Sequence, residues 1–316
     1  MSAIRYLPVA IFATLMGSAG LTLAWERAAE IFGLPALVSQ LLLGFTLLLL
    51  AVLASSYLLK FFKHRDAVCE EFNHPIKISF FPALSIGLML IATALHQYQT
   101  HLALILWAVG AALQLVLTLT LMNIWIHQSR TQVNHTTPAW FIPIVGNIIA
   151  PIEGVSLGFL DLSWFYFSVG FVYWIVLKVL VFNRMLYHDP LPQNLLPTLF
   201  IMVAPPAVGF IAYQRLSGGA FDVFAHILYY TALFLVILLL TQIARFARLP
   251  FFISWWAYSF PLAAFTVATM LMYQHHQTLF FQALSLIMLV VVTVLIAMLA
   301  WRTARAAISG NLFKPD

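Results

Sequence analysis

The sequence has very little charge: Asp, Glu, Lys and Arg together make up 8% of its 316 residues. Soluble domains carry about a quarter, so a water-exposed surface of ordinary composition is excluded. Cysteine occurs once, at Cys69, which excludes an intrachain disulfide and a cysteine metal cluster. There is no Walker loop, no HExxH helix, no GxSxG elbow, and no cluster of carboxylates or histidines at helical spacing inside an apolar run. Phosphoryl transfer, metal-assisted hydrolysis and acyl transfer therefore lose their usual machinery, and neither an enzyme activity nor a cofactor is expected. No linker rich in Ser, Gly or Pro and no charged block divides the chain, and its longest connection is residues 61–79. A single membrane-integral domain over residues 1–316 is expected.

What the sequence does have is apolar surface: 63% of residues are hydrophobic and the mean hydropathy is +0.98. Runs long enough to cross a bilayer fall at residues 7–25, 37–60, 80–96, 102–126, 140–159, 164–182, 195–213, 221–243, 251–273 and 279–301. These ten spans make an all-α integral membrane protein. The first run, with Gly17-Ser18-Ala19-Gly20, has features of a secretory leader, but it continues apolar to Trp25 and reads as a retained helix.

Basic residues accumulate in loops that stay cytoplasmic. Placing the N-terminus, the even connections and the C-terminal tail on one side puts thirteen of the fifteen Lys and Arg there, Arg130 and Lys314 included, and leaves Arg27 and Arg215 on the other. Both termini are thus expected in the cytoplasm. The pI of 9.4 follows from this topology, since no basic patch interleaves with exposed aromatics, and nucleic acid is not an expected partner.

Prolines fall inside alternate spans: Pro82, Pro143, Pro151, Pro205, Pro206 and Pro261 all lie in odd-numbered ones. Proline removes a helical hydrogen bond and crowds the preceding turn. In hydrocarbon it is tolerated where protein or a water-lined cavity satisfies the freed carbonyl. Two helix populations follow, with the broken odd helices lining something and the smooth even ones enclosing them; the competing reading is ordinary packing kinks, with Pro82 and Pro143 at harmless helix starts. Gly17 and Gly20 give the first span close approach by another route. Pairing each odd span with the next even one gives five hairpins of roughly sixty residues, able to close into a ring around a pore. A weak echo between Ser79-Phe80-Phe81-Pro82 and Ser259-Phe260-Pro261 supports the repeat.

Phe260 lies about ten residues into its span, roughly 13 to 15 Å deep in a hydrocarbon core about 30 Å thick. A ring there, beside a proline, is either an apolar plug of the kind that blocks hydrated ions or one packing aromatic among 27 Phe. Glu153, between Pro151 and Gly154, is a possible proton or ion site, or a partner in a local structural hydrogen bond. Lys178 sits near a span end, where it can snorkel. Asp222 and His226, four residues apart, suit an interfacial hydrogen bond better than a metal site, and no metal is expected. With no Lys or Arg at the midplane, attraction for an anion would come from helix N-termini at the breaks and from the basic rim.

Several stretches resemble one family. Residues 194–209, with PTLFIMVAPPAVG at their core, are similar to a signature of the tellurite-resistance/dicarboxylate transporter family, which includes the bacterial TehA proteins and the slow-type anion channels of plant guard cells. Residues 255–261, WWAYSFP, resemble its ninth-helix segment, and Pro143-Ile144-Val145-Gly146-Asn147 its fifth-helix motif. The resemblance spans essentially the whole chain. It implies a homotrimer with a pore in each protomer, five hairpins with odd helices inside and even ones outside, and a pore gated by the phenylalanine that Phe260 matches. Gly17 matches the glycine that gives this ring room.

The expected wall comprises Gly17, Gly20, Pro82, Pro143, Gly146, Asn147, Pro151, Pro205, Pro206 and Pro261. The expected activity is passive transport of small monovalent anions such as chloride and nitrate in a bacterial inner membrane. The alternative is a carrier for dicarboxylates or tellurium oxyanions, coupled to protons through Glu153. The 316 residues are taken up by spans and connections, so kinase gating through long tails is not part of the expectation.

Overall fold

The computed structural model describes residues 3–127 and 132–313, and within them every regular element is helical. Arg130 and Lys314 lie outside the described residues. The helices are α1 (Phe12–Phe32), α2 (Ala36–Lys63), α3 (Arg65–Asn73), α4 (Pro82–Leu95), α5 (Thr100–His127), α6 (Phe141–Val145), α7 (Ala150–Gly154), α8 (Leu160–Tyr187), α9 (Ala204–Leu216), α10 (Val223–Leu240), α11 (Ile243–Ala247), α12 (Ser259–His276) and α13 (Leu279–Ile308).

Eight helical segments among the described residues are long and apolar enough to cross a membrane. Of the ten expected spans, the fifth and ninth are not among them. The fifth is cut into α6, a 3₁₀ stretch at Gly146–Ile149, and α7, each far shorter than a bilayer. The ninth joins a 3₁₀ stretch, Ile253–Tyr258, to α12 and carries Ser, Trp, Tyr, Gln and His along its length.

The eight segments fall into two burial classes. The most apolar windows of Val9–Phe32, Lys77–Leu95 and Leu196–Leu216 are 72 to 83% buried, whereas those of the other five are 22 to 39% buried. The second class turns Leu41, Ile105, Val179, Phe234 and Val290 outward, as a lipid-facing surface requires. The fifth span is buried over residues 140–154, as are residues 136–139 before it, and opens to the surface at 155–159. Contacts run from α1 to α4, α4 to α7, α7 to α9, α9 to α12, and α12 back to α1.

The prolines act at junctions. Each lies in the first turn of an α-helix that follows a 3₁₀ stretch: Pro82 after Lys77–Phe80, Pro143 after Pro138–Trp140, Pro151 after Gly146–Ile149, Pro205 and Pro206 after Leu196–Val203, and Pro261 after Ile253–Tyr258. A proline in that turn has no N–H to give to the carbonyl four residues back, and the preceding chain tightens to i→i+3 bonding. Ser79-Phe80 end a 3₁₀ stretch and Ser259-Phe260 open α12, so the two pairs lie on opposite sides of a change of helix type. At three of the breaks the first N–H of the α-helix is taken: Ala204 donates to Ile201, Ser259 to Trp256, and Ala150 to Asn147, all backbone to backbone.

Carbonyls freed in the fifth span are satisfied from α5. The amide of Gln114, fully buried, donates to the carbonyl of Pro143 at 2.9 Å and accepts from the Ser85 hydroxyl at 2.6 Å. Thr118 donates to the same Pro143 carbonyl at 2.6 Å and accepts from Asn147 at 2.8 Å. Trp107 Nε1 donates to the Ala150 carbonyl at 2.8 Å. At the basic end, Lys60 and Glu71 form a buried ion pair at 2.6 Å. Lys60 also donates to the Leu7 carbonyl, and Glu71 accepts from the Val9 N–H and the Tyr57 hydroxyl, which fixes the entry to α1.

Candidate anion pathway

The centre of the molecule holds two cavities separated by one ring. The first, about 50 Å³, opens toward the basic end between the starts of α1, α6, α9 and α12; its wall includes Ala10, Ala13, Ile142, Ile201 and Ala257. Ser254 is its one hydroxyl-bearing side chain, and that hydroxyl is used on the Asn194 carbonyl. The second, about 240 Å³, opens toward the other end. Phe260 and Val208 line both, and Phe260 is only 7% exposed. The sequence brings the ring there because Ser259 and Phe260 open α12 just after the 3₁₀ stretch, one residue before Pro261.

Gly20 supplies the opposing surface. A Cβ on Gly20 would stand 3.3 Å from Phe260 Cδ2 and 3.0 Å from the Ala263 Cβ, so the helices meet through the bare backbone. Gly17, expected to make room for the ring, sits one turn away against Ser259 and Trp256 instead.

Of the other residues expected on the wall, Gly146, Pro205 and Pro261 line the first cavity and Gly20 lines the second. Gly17, Pro82, Pro143, Asn147, Pro151 and Pro206 line neither. The reason is visible at Asn147 and Pro143, whose polar groups turn outward to Thr118 and Gln114 on α5. A proline shapes the backbone around it without having to face the space that results.

The second cavity carries the charge. Glu153, 2% exposed, pairs with His96 Nδ1; Arg27 pairs with Glu30 at 2.6 Å; Glu26 accepts from the Gln97 amide. Arg215, also on this wall, makes no hydrogen bond or ion pair of its own among the described residues. It is one of the two basic residues that the charge distribution left on this side, and that isolation was its signal in the sequence. Val208 gave no such signal, since a valine in an apolar run looks like any other. Asp222 caps α10 by accepting from the Ala225 N–H and also accepts from the Tyr213 hydroxyl, while His226 Nδ1 faces the Asp222 carbonyl. Lys178 lies over the Trp174 ring, 5.3 Å from its centroid. Chemically, the arrangement is a dry constriction with a mixed-charge cavity beyond it, where the Arg215 guanidinium stands among Glu26, Glu30 and Glu153 without a direct hydrogen bond to any of them among the described residues.

The family model of SLAC1, described as a voltage-dependent anion channel, matches residues 6–304. The chain belongs to the SLAC1 family. Among its relatives, the S-type anion channel SLAH2 of Arabidopsis thaliana is 30% identical over 298 residues, 93% of this chain and 57% of that protein. The tellurite resistance protein TehA homolog of Haemophilus influenzae is 27% identical over 311 residues, 97% and 93% of the two chains. An uncharacterized transporter of Methanocaldococcus jannaschii, MJ0762, is 26% identical over 287 residues, 83% and 84%. The chain spans about half the length of the SLAH2, SLAH3 and SLAC1 proteins of the plant. SLAC1-family membership accords with the missing catalytic motifs, because the family is one of anion channels and transporters.

Proposed function

We propose that the protein is a passive channel for small monovalent anions such as chloride and nitrate, closed by Phe260. The observation that carries this reading is the position of the Phe260 ring as common wall of two cavities that open toward opposite ends of the molecule. An apolar constriction of this kind excludes a hydrated ion until the side chain moves. Selectivity would come from ease of dehydration in the dry first cavity and from the field of Arg215 and the basic rim.

In this reading the ten spans form five hairpins around the pore, odd helices inside and even ones outside. The closed circuit of contacts through α1, α4, α7, α9 and α12 and the two burial classes support it. The protein would sit in a bacterial inner membrane as a homotrimer, both termini in the cytoplasm, as the distribution of basic residues suggests.

Planar-bilayer recording tests the gate. The parent protein should be nearly closed and Phe260→Ala should carry a large anion current; equal currents would end the assignment. The His96–Glu153 pair in the second cavity favours one competing reading, a proton-coupled carrier for dicarboxylates or tellurium oxyanions. That reading requires saturable, pH-driven uptake into liposomes that Glu153→Gln abolishes, with no unitary currents.

A further inference from the structure

Apart from the pathway, at the basic end, a cavity of about 240 Å³ lies between α8, the 3₁₀ stretch Leu196–Val203, α10 and α11. Two arginines reach it, Arg184 from the last turn of α8 and Arg245 from α11. Arg184 is 3% exposed, yet among the described residues its guanidinium makes one hydrogen bond, from Nη1 to the backbone carbonyl of Asp189, and its Nε is buried with no partner. Neither arginine is in an ion pair among the described residues. A guanidinium carries five N–H donors and is costly to hold out of water without a counter-charge. Arg184 is held in that way, and an anion in the cavity would answer its free donors.

The rest of the wall says what bears that anion. Apart from the two arginines and Gln242, the lining is Phe, Met, Pro and Leu, including Leu199, Leu235 and Leu238. The outward faces beside it are lipid-type, with Leu186 70% and Leu240 53% exposed. Arg184 lies three residues before the end of a 28-residue helix, the depth at which a spanning helix leaves the hydrocarbon. Leu235 and Leu238 come before Arg245 in the chain, inside α10, so the apolar wall runs from the charged end into the span.

We propose that this cavity holds a phospholipid of the leaflet at the basic end, its phosphate between Arg184 and Arg245 and an acyl chain along Leu235 and Leu238. Phosphate oxygens accept from guanidinium N–H groups in forked, charge-assisted pairs. Basic pockets between membrane helices suit anionic headgroups in this way. A free phosphate would gain nothing from the leucine wall, so the lipid is the occupant assigned.

Native mass spectrometry of the full chain in mild detergent tests this with three probes: dioctanoyl phosphatidylglycerol, dioctanoylglycerol with the same tails and no phosphate, and inorganic phosphate. Expected are retained adducts of the first only, weakened about tenfold or more by Arg245→Gln, the loss of one or two charge-assisted bonds. Leu238→Trp, which fills the tail path and leaves both charges, should weaken it as well. Arg245 is exposed, so the Arg245→Gln protein is expected to fold even if an Arg184 variant does not. Equal retention of dioctanoylglycerol, or an affinity unchanged in Arg245→Gln, overturns the phosphate contact. Displacement of the lipid by equimolar inorganic phosphate, or no effect of Leu238→Trp, overturns the lipid assignment.

Discussion

The ring of Phe260 rests on Gly20 across the α1–α12 contact, with 3.3 Å between Phe260 Cδ2 and the place a Cβ of residue 20 would occupy. A side chain at position 20 therefore enters the space that Phe260 fills. In the Phe260→Ala background, Gly20→Val should reduce the current relative to Phe260→Ala alone, since the added branches occupy part of the vacated volume. Currents measured at matched protein incorporation check this, and an undiminished current would place the constriction elsewhere.

Gly17 should behave differently from Gly20. A Cβ there would lie 2.7 Å from the Ser259 Cβ and closer still to its hydroxyl, a clash with the first turn of α12. Overpacking of this kind costs about 1 to 3 kcal/mol. Gly17→Ala should lower the thermal unfolding midpoint in detergent, and Ser259→Gly in the same chain should recover part of the loss. A neutral Gly17→Ala would mean that α1 and α12 slide apart freely.

Gln114 predicts a stability effect away from the pathway. Gln114→Leu leaves the Pro143 carbonyl with Thr118 alone and the Ser85 hydroxyl with only the Pro82 carbonyl. Both groups keep one partner, so each lost hydrogen bond costs about 0.5 to 1.5 kcal/mol. The unfolding midpoint should fall, and Gln114→Glu should lower it at least as much at neutral pH, because an ionised carboxylate in that fully buried site faces the Pro143 carbonyl with no donor between them.

Arg215 predicts a salt-dependent effect on conduction. In the open Phe260→Ala background, Arg215→Gln should lower anion current at low ionic strength. The difference should shrink as salt is raised toward 1 M, where the screening length is about 3 Å. A deficit that persists unchanged at high salt would point to a shape effect and not to the field of the guanidinium.

Membrane integration, the number of long apolar segments to within two, and the chain's family were legible in the sequence because each depends on composition or local motif. Hydrophobic length is a property of a segment alone, and PTLFIMVAPPAVG and WWAYSFP needed no neighbours to be read. Proline alternation marked the spans whose backbone changes helix type, for the same reason: a missing N–H acts within four residues. Which of those residues face the cavities depended on rotation about the helix axes, which the packing partners set. Gln114 and Thr118 on α5 turn Pro143 and Asn147 away from the centre, Ser259 and Trp256 claim Gly17, and Phe260 meets Gly20 and Val208 only when α1, α9 and α12 come together. The pairing of His96 with Glu153, the unpartnered Nε of Arg184 and the setting of Arg215 in one cavity with Glu26, Glu30 and Glu153 were likewise decided in three dimensions, because charges far apart in the chain interact through distances that only the folded backbone fixes.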